Sequence, residues 1–235
     1  MTRVSTASNQ KVARIAGLAY VLVILIGIFK VNFIEPVVVS HGTTELEASI
    51  LANEFLFRIG IACETVMYLV VLVLSIALYI LLKPVSKKLA LSALCFRFGE
   101  AIIGTVSIIL SGLIPLILLN KGPALDDSLL QTLIEVFINS RITALNIVLI
   151  FIGVGGTIFC YLFYISRFVP RILAFWGIVT YASMFILGFL NIITPERPDM
   201  IESILFSTGA LFEIVFGIWL LFKGIRIKTE NKIIA

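Results

Sequence analysis

Histidine is almost missing from this chain, which has only His41. A membrane cytochrome needs paired axial histidines and a membrane zinc protease needs histidine ligands, so neither class fits. HExxH, GxSxG and Walker A patterns are absent too, which removes the corresponding metalloproteases, hydrolases and nucleotide enzymes. No lysine stands at mid-depth in an apolar run, so a retinal Schiff base has no point of attachment. The three cysteines, Cys63, Cys95 and Cys160, stand alone with no CxxC spacing, and read as small packing residues. His41 reads as a solvated loop residue, and neither a cofactor nor a bound metal is expected.

Charge is scarce as well. Only 14% of the 235 residues are charged and 60% are hydrophobic, with a mean hydropathy of +1.13, more apolar surface than a soluble domain can hide in one core. A bilayer core of about 30 Å takes about 20 apolar residues per crossing helix. Six runs meet that length: residues 15–33, 55–82, 89–119, 142–165, 172–193 and 201–222. The expected fold class is all-α, a polytopic membrane helical bundle with six transmembrane helices in a single domain over residues 1–235. The first run follows Arg3, Lys11 and Arg14 like a signal peptide, but no small-residue cleavage site follows it, and it is expected to be retained.

Basic residues distribute by side. Arg3, Lys11, Arg14, Lys83, Lys87, Lys88, Arg167, Arg171, Lys223, Arg226, Lys228 and Lys232 flank one set of ends. The opposite loops are expected to hold Lys30, Lys121, Arg197 and Arg141 among Glu35, Glu45, Glu47, Asp126, Asp127, Glu196, Asp199 and Glu202. Cytoplasmic segments retain Lys and Arg, so the expectation is a multi-pass protein of the cell membrane with both termini cytoplasmic. The net charge of +4 then reflects topology and anionic headgroups, with bilayer lipid as the partner and no nucleic acid.

Several local signals predict further detail. Thr44 with Glu47 three residues on marks a helix start, so the second membrane helix is expected to begin outside the bilayer and run unbroken inward. Ser128 with Gln131 repeats the device, and Leu129, Leu130, Leu133, Ile134 and Phe137 make one apolar face of a short helix lying along the interface. Gly112 and Pro115 predict a kink in the third run. Gly153, Gly155 and Gly156 with Thr157 and Cys160 predict close helix packing. The FRIG at Phe57 and FRFGE at Phe96 share too few letters to indicate a duplication.

The buried charges carry the functional question. At about 1.5 Å per residue, Arg58 lies only about 5 Å inside its run and can snorkel to headgroups, paired with Glu54 one turn back. Glu64 lies about 14 Å from the outer end of its run, Glu100 about 16 Å from the inner end of its own and Glu213 about 18 Å from the outer end of the last, all close to the middle of the bilayer. A charge there costs about 2.5–3.5 kcal/mol on insertion scales, so it must face the bundle interior, find a partner or be neutral. Arg97, one turn from Glu100, is the expected shared partner, with Gly104, Ser107 and Ser111 continuing its stripe. Tyr68 and Ser75 share a stripe with Glu64, Asn146 joins from the fourth run, and Gly217 follows Glu213. One cation cannot neutralise three anions, so at least one glutamate is expected to hold a proton or a cation. A structural Arg–Glu clasp remains the alternative reading of the same residues.

Five segments also resemble the bacterial multi-pass membrane proteins known as the domain of unknown function 4386 family: ARIAGLAYVLVILIGIF from Ala13, ANEFLFRIGIA from Ala52, LLKPVSKKLALSALCFRFGEAIIG from Leu81, FYISRFVPRILAFWGIV from Phe163 and LFEIVFGIWLLFKGI from Leu211. The resemblance covers nearly the whole chain and implies arginines at Arg58 and Arg97 and acids at Glu100 and Glu213; near Glu64 the family more often has aspartate. It implies no activity. Three readings follow. The leading one is a non-enzymatic accessory, regulatory or protective membrane protein. The second is a small proton- or ion-coupled transporter using the glutamates, with a homodimer or another membrane partner to complete it. The third is a membrane enzyme acting on a lipid-linked substrate through a glutamate acid or base, though a nucleophile constellation is missing.

Overall fold

Each long apolar run becomes a helix because lipid offers backbone groups no hydrogen-bond partner, leaving intra-helix bonding as the solution. The computed structural model describes residues 3–34, 46–120, 126–194 and 199–226. The sequence expectations for Glu35, His41, Thr44, Glu45, Lys121, Glu196, Arg197, Lys228 and Lys232 fall outside them. Helix α1 is Arg3–Phe29 and ends in a π turn, Lys30–Ile34; α2 is Leu46–Ala52 and α3 is Glu54–Leu82. Helix α4, Lys87–Ile108, continues through a second π turn, Ile109–Leu113, into α5, Ile114–Asn120. Then come α6, Asp127–Ser166, α7, Arg171–Ile193, and α8, Asp199–Phe222. Six stretches are long and apolar enough to cross a membrane: Ser8–Ile34, Glu54–Leu82, Lys87–Asn120, Ser128–Ser166, Arg171–Ile193 and Ile204–Phe222. The protein is an all-α polytopic bundle.

The punctuation is chemical. Pro84 follows the last turn of α3 and cannot continue it, and Ser86 caps α4 by accepting from the Leu89 amide at 3.4 Å. Pro115 lacks the amide that would bond back to Ser111, and the helix widens just before it, so that the Ile114 amide donates to Ile109. The expected kink at Gly112 and Pro115 is this π turn. The chain reverses after α6 at Arg167, in the left-handed region at φ 58°, and α7 starts directly after Pro170.

Several expectations about the loops are corrected. No separate interfacial helix precedes the fourth crossing: α6 is one helix of 40 residues, about 60 Å long and more than the bilayer thickness. Nothing between Ser128 and Ser140 breaks helical bonding, because glycine and proline are absent there. Asp126, not Ser128, occupies the cap position, and the Ser128 hydroxyl donates to the Asp126 carboxylate at 2.7 Å. The second crossing is likewise interrupted at Asn53, between α2 and α3, although the Asn53 amide donates to the Ser49 carbonyl at 3.1 Å and its carbonyl accepts from the Phe57 amide at 3.0 Å. Lys30 and Arg141, expected in loops, both stand within helical segments.

The crossings form a ring in chain order, α1–α3–α4–α6–α7–α8, closed by α8 against α1. Glycines set the tightest approaches: a methyl on Gly17 would lie 2.6 Å from the Gly217 carbonyl, and one on Gly153 would lie 2.6 Å from the Phe185 amide. At the end of the ring that brings α1 beside the residues following α8, the Gln10 amide donates to the Ile225 carbonyl at 2.5 Å and accepts from its amide at 3.2 Å. We call this end proximal and the other distal. Gly224 makes that closure possible with φ +64°, where a side chain would also collide with Gln10.

The outer surface is apolar, with Leu25, Ile102, Phe175 and Ile186 exposed, as for a lipid-facing wall. Cys95 joins that wall, whereas Cys160 is buried. The proximal half of the interior is filled by aromatic rings. Phe216 meets Tyr20, Phe163 and Phe212, and Phe212 meets Tyr181 and Trp176, at centroid distances of 5.3–5.7 Å. The distal half holds a cavity.

Candidate functional site

The cavity occupies about 670 Å³ at the centre of the ring, lined by side chains from all six crossings. Its floor is polar. Arg97 and Glu100 come from one face of α4, three residues apart, and their side chains are 5% and 4% exposed. Arg97 Nη1 and Glu100 Oε2 stand 2.6 Å apart in an ion pair whose angle does not make a hydrogen bond. Arg97 Nε reaches the Ser75 hydroxyl of α3 at 3.4 Å, and that hydroxyl donates to the Val71 carbonyl at 2.7 Å. Gly155 of α6 makes room for the arginine stem, since a methyl there would lie 3.0 Å from Arg97 Cγ.

Glu213 of α8 faces the same floor but is held differently. Its Oε1 accepts from the Tyr181 hydroxyl at 2.7 Å, and the Tyr181 and Tyr20 hydroxyls lie 3.3 Å apart. The aromatic fill beneath the floor therefore offers one phenol, Tyr181, to the carboxylate, with the Tyr20 hydroxyl behind it. Above the floor the walls are hydrocarbon from Val71, Leu74, Val148, Leu149, Ile152 and Met184. Tyr68 closes one side, its ring lying over Gly104, where any side chain would collide with it. Toward the distal rim, Asn191 donates to Asn146 at 2.8 Å, and the exposed Ile142 and Phe206 border the opening.

Of the residues singled out from sequence, Arg97, Glu100, Glu213, Tyr68 and Asn146 thus line one cavity. Glu64 and Arg58 do not. Glu64 pairs with Lys30 of the first π turn and with Arg141 of α6, the latter at 2.7 Å, so its partner is not Arg97. Lys30 and Arg141 extend inward from their helical segments and reach Glu64 first. This gives a second charge cluster, which ties α1, α3 and α6 together distal to the cavity floor. Arg58 forms an exposed pair with Glu54 one turn back, at 2.5 Å.

Sequence reasoning missed Tyr20, Tyr181 and Asn191 as partners, because a tyrosine or asparagine within an apolar run carries no charge signal. For Lys30 the signal was present: a lysine near the end of a crossing whose ammonium can point either way.

One guanidinium and two carboxylates form the floor, two phenols and a serine hydroxyl support them, and an apolar chamber lies above. No curated protein and no solved structure matches this chain. The family described as "Domain of unknown function (DUF4386)" matches residues 15–224, and with that match over most of its length the chain belongs to this family.

Proposed function

We propose that this is a non-enzymatic protein of the bacterial cell membrane, with both termini cytoplasmic, which binds a small amphipathic molecule within its ring in an accessory, regulatory or protective role. The observation that carries the reading is the cavity of about 670 Å³ with hydrocarbon walls and a charged floor. A pure structural clasp has no use for such a space, and one of this size falls within the range of about 300–1,000 Å³ common to small-molecule sites. The basic residues at the proximal end, Lys11, Arg14, Lys83, Lys87, Lys88, Lys223 and Arg226 among them, support the orientation.

The test is a thermal-shift screen of the purified protein against amphipathic metabolites and lipids, run beside Ala210→Trp, which places an indole in the cavity wall. Ligands that stabilise the wild type and lose their effect in the variant support the reading. If stabilisation by every compound is the same in both proteins, the cavity is not a binding site.

A second reading, a proton- or ion-coupled transporter, draws on Glu100 and Glu213 standing at mid-crossing beside a single guanidinium. It expects Glu100→Gln to keep the fold and abolish pH-dependent flux in proteoliposomes.

A further inference from the structure

We infer that the ligand of this cavity is an amphipathic cation, its positive group seated against Glu213 and its apolar body lying along the walls of α3 and α6. The inference rests on the ligand-binding reading above and assigns the charge class of the molecule bound. It begins from an imbalance, because the floor holds one guanidinium and two carboxylates. Arg97 is already engaged on two sides, by Glu100 at 2.6 Å and by Ser75 at 3.4 Å. Glu213 is in ion-pair contact with no cation among the described residues; its contact is the neutral Tyr181 hydroxyl.

Charges at a buried site need partners, since leaving water for a low-dielectric interior costs several kcal/mol per ion. A ligand cation beside Glu213 supplies the missing partner. An anionic head faces the opposite situation: at Arg97 it lies beside two carboxylates, Glu100 and Glu213. Tyr20 and Tyr68 also stand on the lining, and an aromatic ring whose face meets a cation within about 6 Å favours the same sign. The rest of the lining is apolar, which requires a ligand with a substantial hydrocarbon or aromatic body.

The test uses three probes of similar shape and different charge, titrated by calorimetry into detergent-solubilised full-length protein: tetraphenylphosphonium, tetraphenylborate and the uncharged triphenylphosphine oxide. The expected result is saturable binding of tetraphenylphosphonium at least tenfold tighter than tetraphenylborate. Glu213→Gln is expected to weaken tetraphenylphosphonium at least tenfold and to leave triphenylphosphine oxide unchanged, while Glu213→Asp, which keeps the charge, holds the affinity within a few-fold. Should Glu213→Gln not fold, the probe ranking on the wild type and on Glu213→Asp still decides the matter. Borate binding as tightly as phosphonium, or phosphonium affinity unmoved by Glu213→Gln, overturns the cation assignment and leaves the cavity reading standing. Saturable binding of none of the three overturns both.

Discussion

Replacing Arg97 by glutamine and Glu100 by glutamine should have unequal consequences, although the two side chains are partners. Arg97→Gln removes the one cation at the floor and leaves Glu100, 4% exposed, without its ion-pair partner and beside a second carboxylate, Glu213. Breaking a buried pair from one side costs about 3–5 kcal/mol, and the contact with Ser75, long at 3.4 Å, adds no more than about 1 kcal/mol. Glu100→Gln instead leaves one guanidinium and one carboxylate, a balanced floor. Its expected loss is about 1 kcal/mol or less, the lost ion pair being offset by relief of the excess negative charge. The double variant should lie close to Glu100→Gln plus the loss from an uncompensated Glu213, and the cycle reports the coupling directly. Equilibrium unfolding in mixed micelles, followed by the fluorescence of Trp176 and Trp219, provides the measurement. Equal losses, or a larger loss from Glu100→Gln, would refute the charge count on which the site is built. Equal losses with no proton or cation linkage would also remove the transporter reading.

Three other substitutions test the surrounding structure. Gly17→Ala drives a methyl into the backbone of α8 at Gly217 and Leu221, where neither helix can yield by rotating a side chain; a loss of about 1–3 kcal/mol in the same unfolding assay is expected. Glu64→Gln weakens the links from α3 to Lys30 and Arg141 and should speed amide exchange at the distal ends of α1 and α3 while leaving tetraphenylphosphonium affinity within a few-fold; unchanged exchange would mean the cluster holds nothing together. Arg58→Ala breaks only an exposed i,i+4 pair and should alter stability by no more than about 0.5 kcal/mol, so a larger effect would show that Arg58 has a role beyond anchoring.

Periodicity and length made the crossings legible before any coordinates, and the reason is the solvent: lipid forces a helix wherever about 20 apolar residues run together. The π turn ahead of Pro115 was foreshadowed by the proline itself. Boundaries set by weaker signals were less legible. The stretch from Ser128 to Ser140 reads as an interfacial helix by its face pattern, but only the continuity of backbone bonding through Ser140 and Arg141 makes it part of α6. At the site, the pairing of Arg97 with Glu100 was visible because both stand one turn apart on one helix.

Contacts between helices were not visible in the same way. Glu64, Glu100 and Glu213 look equivalent by depth, and depth says nothing of azimuth, which fixes which neighbour a side chain meets. The ring order and the rotation of each helix send Glu64 to Lys30 and Arg141, and Glu213 to Tyr181. Composition and hydrophobic run length therefore determined by themselves that this is a six-crossing helical membrane bundle with ionisable groups at mid-depth. Only the tertiary structure decided that aromatic rings fill one half of the ring, that a cavity occupies the other, and which carboxylates face it, because those outcomes depend on side-chain directions across helices that share no local sequence.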